Sequence, residues 1–158
     1  HQGDAANVGI YGGSYGGFLV AWMNGHLPAG RYRAYVCHAG VFDRLLTFSA
    51  DSYTHRPKDL HALYWENPAK VRSQSPSSFA HRMATPTLVI HGNNDYRVPD
   101  ANGLANNTTL QSRGVPARLV RFPDENHWVQ KPRNSRLWYR EFLDWLAAHD
   151  PARCPRGG

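Results

Sequence analysis

Long apolar runs are missing from this 158-residue chain. No stretch approaches the roughly 18 consecutive apolar residues that a membrane-spanning helix needs, so no membrane span is expected. Cysteine is scarce. Cys37 sits in an apolar run and Cys154 in the C-terminal tail, and two thiols so placed make no zinc knuckle and say little about redox compartment. A basic stripe is lacking as well: 18 Lys and Arg against 12 Asp and Glu leave a formal net charge of +6, but the cations are scattered and no nucleic-acid motif accompanies them. A basic surface, with no nucleic-acid partner, is the reading. Internal repeats and low-complexity segments are absent. The opening HQGD, His1 to Asp4, has neither Met nor an apolar targeting segment and reads as the start of a processed, truncated or excised piece.

What is present fits one globular domain with a real core. The chain is 41% hydrophobic and 19% charged, and its length is short for two domains of ordinary size. Its organising stretch is VGIYGGSYGGFLVAW, Val8 to Trp22. A β-prone run meets a Gly-rich turn with a serine at its centre, and an apolar helical pattern follows, which is the arrangement of a nucleophile elbow. Ser14 is thereby a candidate nucleophile. The G-x-S-x-G spacing from Gly12 to Gly16 is expected because side chains at both glycines would collide with neighbouring backbone. A phosphate-binding loop fits poorly, since no Lys follows the glycines. A dinucleotide fingerprint would leave the serine without a role.

Along the chain, short buried strands alternate with helices, the signature of an α/β fold with a mostly parallel sheet. Strands are expected at Val8–Tyr11, from Ala34 toward Gly40, at Thr87–Gly92 and at Ala117–Phe122, and helices at Gly17–Asn24, from Ala101 to about Arg113 and from about Ser135 to His149. Asp100 is expected to cap the second of these helices. Between Val41 and about Arg82 the pattern loosens into an excursion with short helices, whose Tyr64 and Trp65 either line a cleft or pack the excursion onto the core. The tail Pro151–Gly158 is expected to fray.

Three polar groups fall at the C-terminal ends of separate strands. Ser14, Asp95 and His127 follow one another in the order of an α/β-hydrolase triad. The chemistry needs all three, because a serine hydroxyl is a weak nucleophile until an imidazole takes its proton, and the imidazole needs an acid on its other nitrogen to hold its tautomer. The backbone N–H of Tyr15 is the expected oxyanion donor. Among the nine histidines, His38 and His81 are open to structural roles and His91 reads as a hydrogen-bonded core or rim residue. Asp124 and Glu125 read as residues that shape the His127 loop. A metal centre of His38, His91, Asp95 and His127 stays open as an alternative, although no ligand spacing supports it.

Further blocks now join the elbow: WENP at Trp65–Pro68, SP at Ser75–Pro76, TPTLVIHG at Thr85–Gly92, DYRVP at Asp95–Pro99, GVP at Gly114–Pro116, FPDENHW at Phe122–Trp128, PRNS at Pro132–Ser135 and WY at Trp138–Tyr139. With GGSYGG, Gly12–Gly17, they resemble the catalytic domain of the prolyl oligopeptidase family of serine peptidases, in its acylaminoacyl-peptidase and bacterial dipeptidyl-peptidase branch. The resemblance implies an α/β-hydrolase fold and hydrolysis of short peptides through an acyl-enzyme. It makes Ser14 the nucleophile, Asp95 the orienting acid and His127 the base, with no cofactor and no metal. An esterase of the same fold, and a non-catalytic binding or structural fragment, are the alternatives.

The resemblance also implies an incomplete domain. Residues 1–150 correspond to the part of the hydrolase sheet from the nucleophile strand onward, about four of eight strands, and no propeller domain is present. The second oxyanion donor comes in relatives from the missing side. The strand at Val8–Ile10 is therefore expected to be an open edge, completed by the N-terminal half of the domain or by a partner chain, and the chain alone is expected to have little or no activity.

Overall fold

The computed structural model describes residues 7–51 and 56–150. The expected frayed tail, Pro151–Gly158, lies outside them. Four strands, β1 (Gly9–Gly13), β2 (Ala34–His38), β3 (Thr87–Gly92) and β4 (Ala117–Phe122), form one sheet in the order β1-β2-β3-β4. Every neighbouring pair is parallel, as an α/β chain with helical crossovers requires.

Among the described residues five helices accompany the sheet: α1 (Tyr15–His26), α2 (Arg56–Leu60), α3 (Pro68–Ser73), α4 (Ala101–Ser112) and α5 (Pro132–Ala148). Short 3-10 segments at Leu45–Ser49 and Pro76–Arg82 complete the excursion after β2. The β3 and β4 strands occupy the stretches read from the sequence. By contrast, β1 lies further along than Val8–Tyr11, because its glycines find partners on β2, Gly12 opposite Cys37 and Gly13 opposite His38. The α5 helix begins earlier than Ser135, with Pro132 in its first turn, where a missing N–H costs nothing.

Helices cover both faces of the sheet. On one side Val36, Leu88, Ile90 and Phe122 pack against Leu137, Trp138, Phe142, Trp145 and Leu146 of α5. On the other, Val20 of α1 packs with Tyr35 and Cys37, while Ala21 and Leu110 join α1 and α4 through Phe42 and Met83. β2 and β3 are buried along their whole length. Fully burying each Val, Leu or Ile is worth about 1.5–3 kcal/mol, so this central pair anchors the frame that carries the loops at its C-terminal edge.

One local expectation is corrected, and one open alternative is decided. Asp100 stands before α4 but makes no side-chain cap; its carboxylate is drawn instead into an ion pair with Arg121 of β4. Tyr64 and Trp65 are exposed rather than packed into the core, and with Leu45, Leu46, Phe48 and Leu63 they line an open apolar cleft of about 880 Å³. Among the described residues no helix is long and apolar enough to cross a membrane.

Candidate active site

The turn between β1 and α1 holds Ser14 at φ 57° and ψ −116°, a left-handed backbone angle that costs a non-glycine residue of order 1–3 kcal/mol. The surroundings over-determine it. Ser14 N–H donates to the His38 carbonyl at 2.9 Å, and the Ser14 carbonyl accepts the first helical bond from Phe18 N–H. Gly12 is required by crowding, since a Cβ there would lie 2.1 Å from the Gly16 carbonyl oxygen. Gly16 differs from expectation: a Cβ on it would meet nothing within 4 Å. The second crowded position is Gly17, whose Cβ would lie 2.7 Å from both the His38 carbonyl oxygen and Gly40 Cα, at the crossing of α1 over the end of β2.

The acid and the imidazole arrive from the next two strand ends. Asp95, 3% exposed, follows β3. Its Oδ1 accepts the N–H groups of Arg97 at 3.0 Å and Val98 at 2.9 Å. His127 is carried by the loop after β4, and that loop is pinned from within: the buried Glu125 carboxylate accepts N–H groups of Gln130 and Lys131 and the Asn134 amide. Asp124 takes Lys131 and Asn134. The loop-shaping role read for both acids holds.

Ser14, His127 and Asp95 come together in one hydrogen-bonded chain. His127 Nε2 lies 2.8 Å from Ser14 Oγ, and His127 Nδ1 lies 2.8 Å from Asp95 Oδ2. Burial pushes the Asp95 carboxyl toward protonation, but hydrogen bonds from the His127 and His91 rings and from Val98 N–H outweigh it and hold the group well below the usual carboxylate range. A carboxylate on Nδ1 assigns the hydrogen to that nitrogen and leaves the Nε2 lone pair facing the Ser14 hydroxyl. The arrangement can therefore take a proton from Ser14 Oγ as it attacks an electrophile. Tyr15 opens α1, and its N–H belongs to the first-turn amides that lack a helical acceptor. A cleft of about 490 Å³ lies over Ser14 and His127 and is walled by Asp51, Asn94, Tyr96, Arg97 and Trp128. An Asp51–Arg97 ion pair of 2.8 Å stands on its wall, and nothing in the local sequence foretold that pairing.

The histidines divide by environment. His38, on β2, accepts the Trp138 indole N–H at Nδ1, and burial beside the rings of His91 and His127 pushes it down to about 4. His91 is buried in β3 with Nε2 2.8 Å from the Val98 carbonyl oxygen, the core role read for it. A shared metal ion does not fit these orientations. His127 Nε2 faces Ser14, His91 Nε2 faces Val98 and His38 Nδ1 takes an N–H, and among the described residues no group of three His, Cys, Asp or Glu side chains is placed to hold one.

Comparison with known proteins agrees with this frame. The Prolyl oligopeptidase family matches residues 1–150. Dipeptidyl-peptidase 5 of Schizosaccharomyces pombe is 43% identical over 145 residues, covering 90% of this chain and 21% of the relative. Dipeptidyl-peptidase 5 of Aspergillus fumigatus is 39% identical over 137 residues, covering 85% of this chain and 19% of the relative. The chain thus spans about a fifth of the length of these curated relatives. Among solved structures, Pyrococcus horikoshii acylaminoacyl peptidase superposes with a TM-score of 0.87 at 23% identity, over 99% of this chain and 26% of that one, and so shares the fold. On the parallel α/β frame and these matches together, the chain belongs to the prolyl oligopeptidase family of hydrolases, with dipeptidyl-peptidase 5 proteins among its relatives.

Proposed function

We propose that the chain carries the catalytic triad of a serine peptidase that cleaves short peptides through an acyl-enzyme. Ser14 attacks the scissile carbonyl, His127 takes the hydroxyl proton and returns it to the leaving amine, and Asp95 holds the imidazole and stabilises its charged form. Tyr15 N–H donates to the oxyanion. The observation that carries this reading is the unbroken Ser14–His127–Asp95 hydrogen-bond chain, 2.8 Å at each link. The names of the relatives support peptide amides as the substrate class.

The same reading treats residues 1–150 as part of a hydrolase unit whose sheet continues beyond β1. Among the described residues β1 pairs only with β2. Its Tyr11 is exposed, and so are Leu19 of α1 and Tyr139 and Leu143 of α5. Apolar side chains on the strand and on helices of both layers support a continuation of sheet and helices beyond β1, and the family likeness supports a propeller domain in the whole protein. The second oxyanion donor belongs, on this reading, to that continuation, and one such donor is worth about 10²–10³ in kcat.

A fluorophosphonate probe tests the site. Label is expected on Ser14 and is lost in Ser14→Ala and His127→Ala; label on another residue, or label surviving both changes, overturns the assignment. Comparing free-amino dipeptide amides, N-acylated amino-acid amides and acyl esters on a protein with the sheet completed then separates dipeptidyl-peptidase, acylaminoacyl-peptidase and esterase activity.

A further inference from the structure

The proposed triad accounts for one donor on Asp95 Oδ2, yet that oxygen faces two. His91 Nε2 lies 3.3 Å from it, on a ring whose side chain is 1% exposed. The same nitrogen lies 2.8 Å from the Val98 carbonyl oxygen. Both neighbours are acceptors, so Nε2 carries the hydrogen and shares it between them. His91 Nδ1 is buried with no partner, which leaves no acceptor to favour the other tautomer. The ring is also closely cradled. A Cβ on Gly103 of α4 would lie 2.7 Å from Nδ1, so α4 presents bare backbone where the imidazole needs room.

We infer that His91 is a positioning residue for the triad, acting through Asp95: its Nε2–H and the His127 Nδ1–H converge on one carboxylate oxygen while the loop amides of Arg97 and Val98 hold the other. The inference rests on the triad reading above. Four donors on two oxygens remove the rotational freedom of the carboxylate and point Oδ2 along the line to His127. They also divide its negative charge, so His91 sets how strongly Asp95 favours the imidazolium of His127. The Val98 carbonyl ties the same ring to the loop that supplies the Val98 N–H, and strand, ring and loop move as a unit. The titratable groups around His91 are Asp95, His127 and His38. Its register neighbour on β4, Arg121, is engaged with Asp100 at the start of α4.

The test is nitrogen-15 NMR of this chain with labelled histidine. In the unaltered protein His91 is expected as the Nε2–H tautomer; an Nδ1–H tautomer overturns the inference without any variant being made. His127 is then titrated in His91→Phe, which fills the space without a donor, and in His91→Gln, which keeps a donor near the Nε2 position. The titration midpoint of His127 is expected to rise by about half a pH unit, a threefold change in proton affinity, in His91→Phe and to return toward the unaltered value in His91→Gln. Equal midpoints in all three proteins reduce His91 to packing. If His91→Phe does not fold, His91→Gln against the unaltered chain and the tautomer assignment decide. The readout needs no turnover, so a Ser14 that fails to label would overturn the triad reading while leaving the His91–Asp95–His127 coupling measurable.

Discussion

Gly92 and Asn126 approach so closely that a Cβ on Gly92 would lie 2.1 Å from the Asn126 carbonyl oxygen. The end of β3 thus lets the loop after β4 cross directly over it, and Asn93 N–H and Asn94 N–H bond back to the carbonyls of Phe122 and Glu125. This crossing sets the spacing between Asp95, three residues past Gly92, and His127, one past Asn126. Gly92→Ala is expected to displace the His127 loop, to cost about 1–3 kcal/mol in stability by overpacking and to slow phosphonate labelling of Ser14 about 100-fold, since a shift near 1 Å suffices for that. Chemical denaturation and labelling rates on one preparation check both parts.

Asp95→Asn keeps the shape of the side chain but gives it an N–H. The hydrogen on His127 then moves to the nitrogen that faces Ser14, and the base is lost. A fall of about 10⁴ in acylation rate is expected, with the far-ultraviolet circular dichroism unchanged. Labelling at the unaltered rate would show that Asp95 does not orient the imidazole.

Acid should destabilise the chain in a window set by His38. Burial holds the folded ring down to about 4 against an ordinary 6.5, so as pH falls the unfolded chain takes up the proton first. The stability contribution is complete above pH 6.5, drains between 6.5 and 4, and amounts to about 3 kcal/mol. Asp95, whose folded carboxyl is held low, adds a loss that begins only below about pH 4. Urea midpoints measured from pH 8 to pH 4 should decline, and His38→Gln should flatten the decline by about one proton's worth of slope.

Trp138→Phe removes the indole N–H that bonds His38 Nδ1 at 3.1 Å and leaves a buried acceptor unpaired. A loss of about 1–3 kcal/mol is expected, and replacing His38 with Phe in the same background should recover part of it. Independent, additive losses would argue that the pair is not coupled.

Among the described residues no strand pairs with the outer side of β1, and the exposed apolar groups beside it should make the chain self-associate. Leu143→Glu and Tyr139→Lys place charge on the exposed α5 face beside that edge, and both are expected to shift sedimentation toward monomer at concentrations where the unaltered chain forms larger species. A monomeric unaltered chain with full peptidase activity would sink the incomplete-domain reading.

Much of this molecule was legible from the order of its residues, and for a definable reason. Apolar runs closed by turn residues specify β3 and β4 because burial on both sheet faces admits few other residues, and the apolar stripe of α5 specifies its helix in the same way. The Gly12-x-Ser14 spacing and the order Ser, Asp, His carried the candidate site, because a backbone without side chains at the turn and polar groups past strand ends leave local traces. Tertiary structure alone decided the rest. That β1 runs on through Gly12 and Gly13 depends on backbone partners offered by β2. The crowded glycine is Gly17 rather than Gly16 because α1 crosses the end of β2 there. Asp100 reaches Arg121 instead of capping its helix, and His91 shares the carboxylate of Asp95. Each of these relations is a distance across the sheet, set by strand order and register, and residues far apart in sequence carry no local pattern that records it.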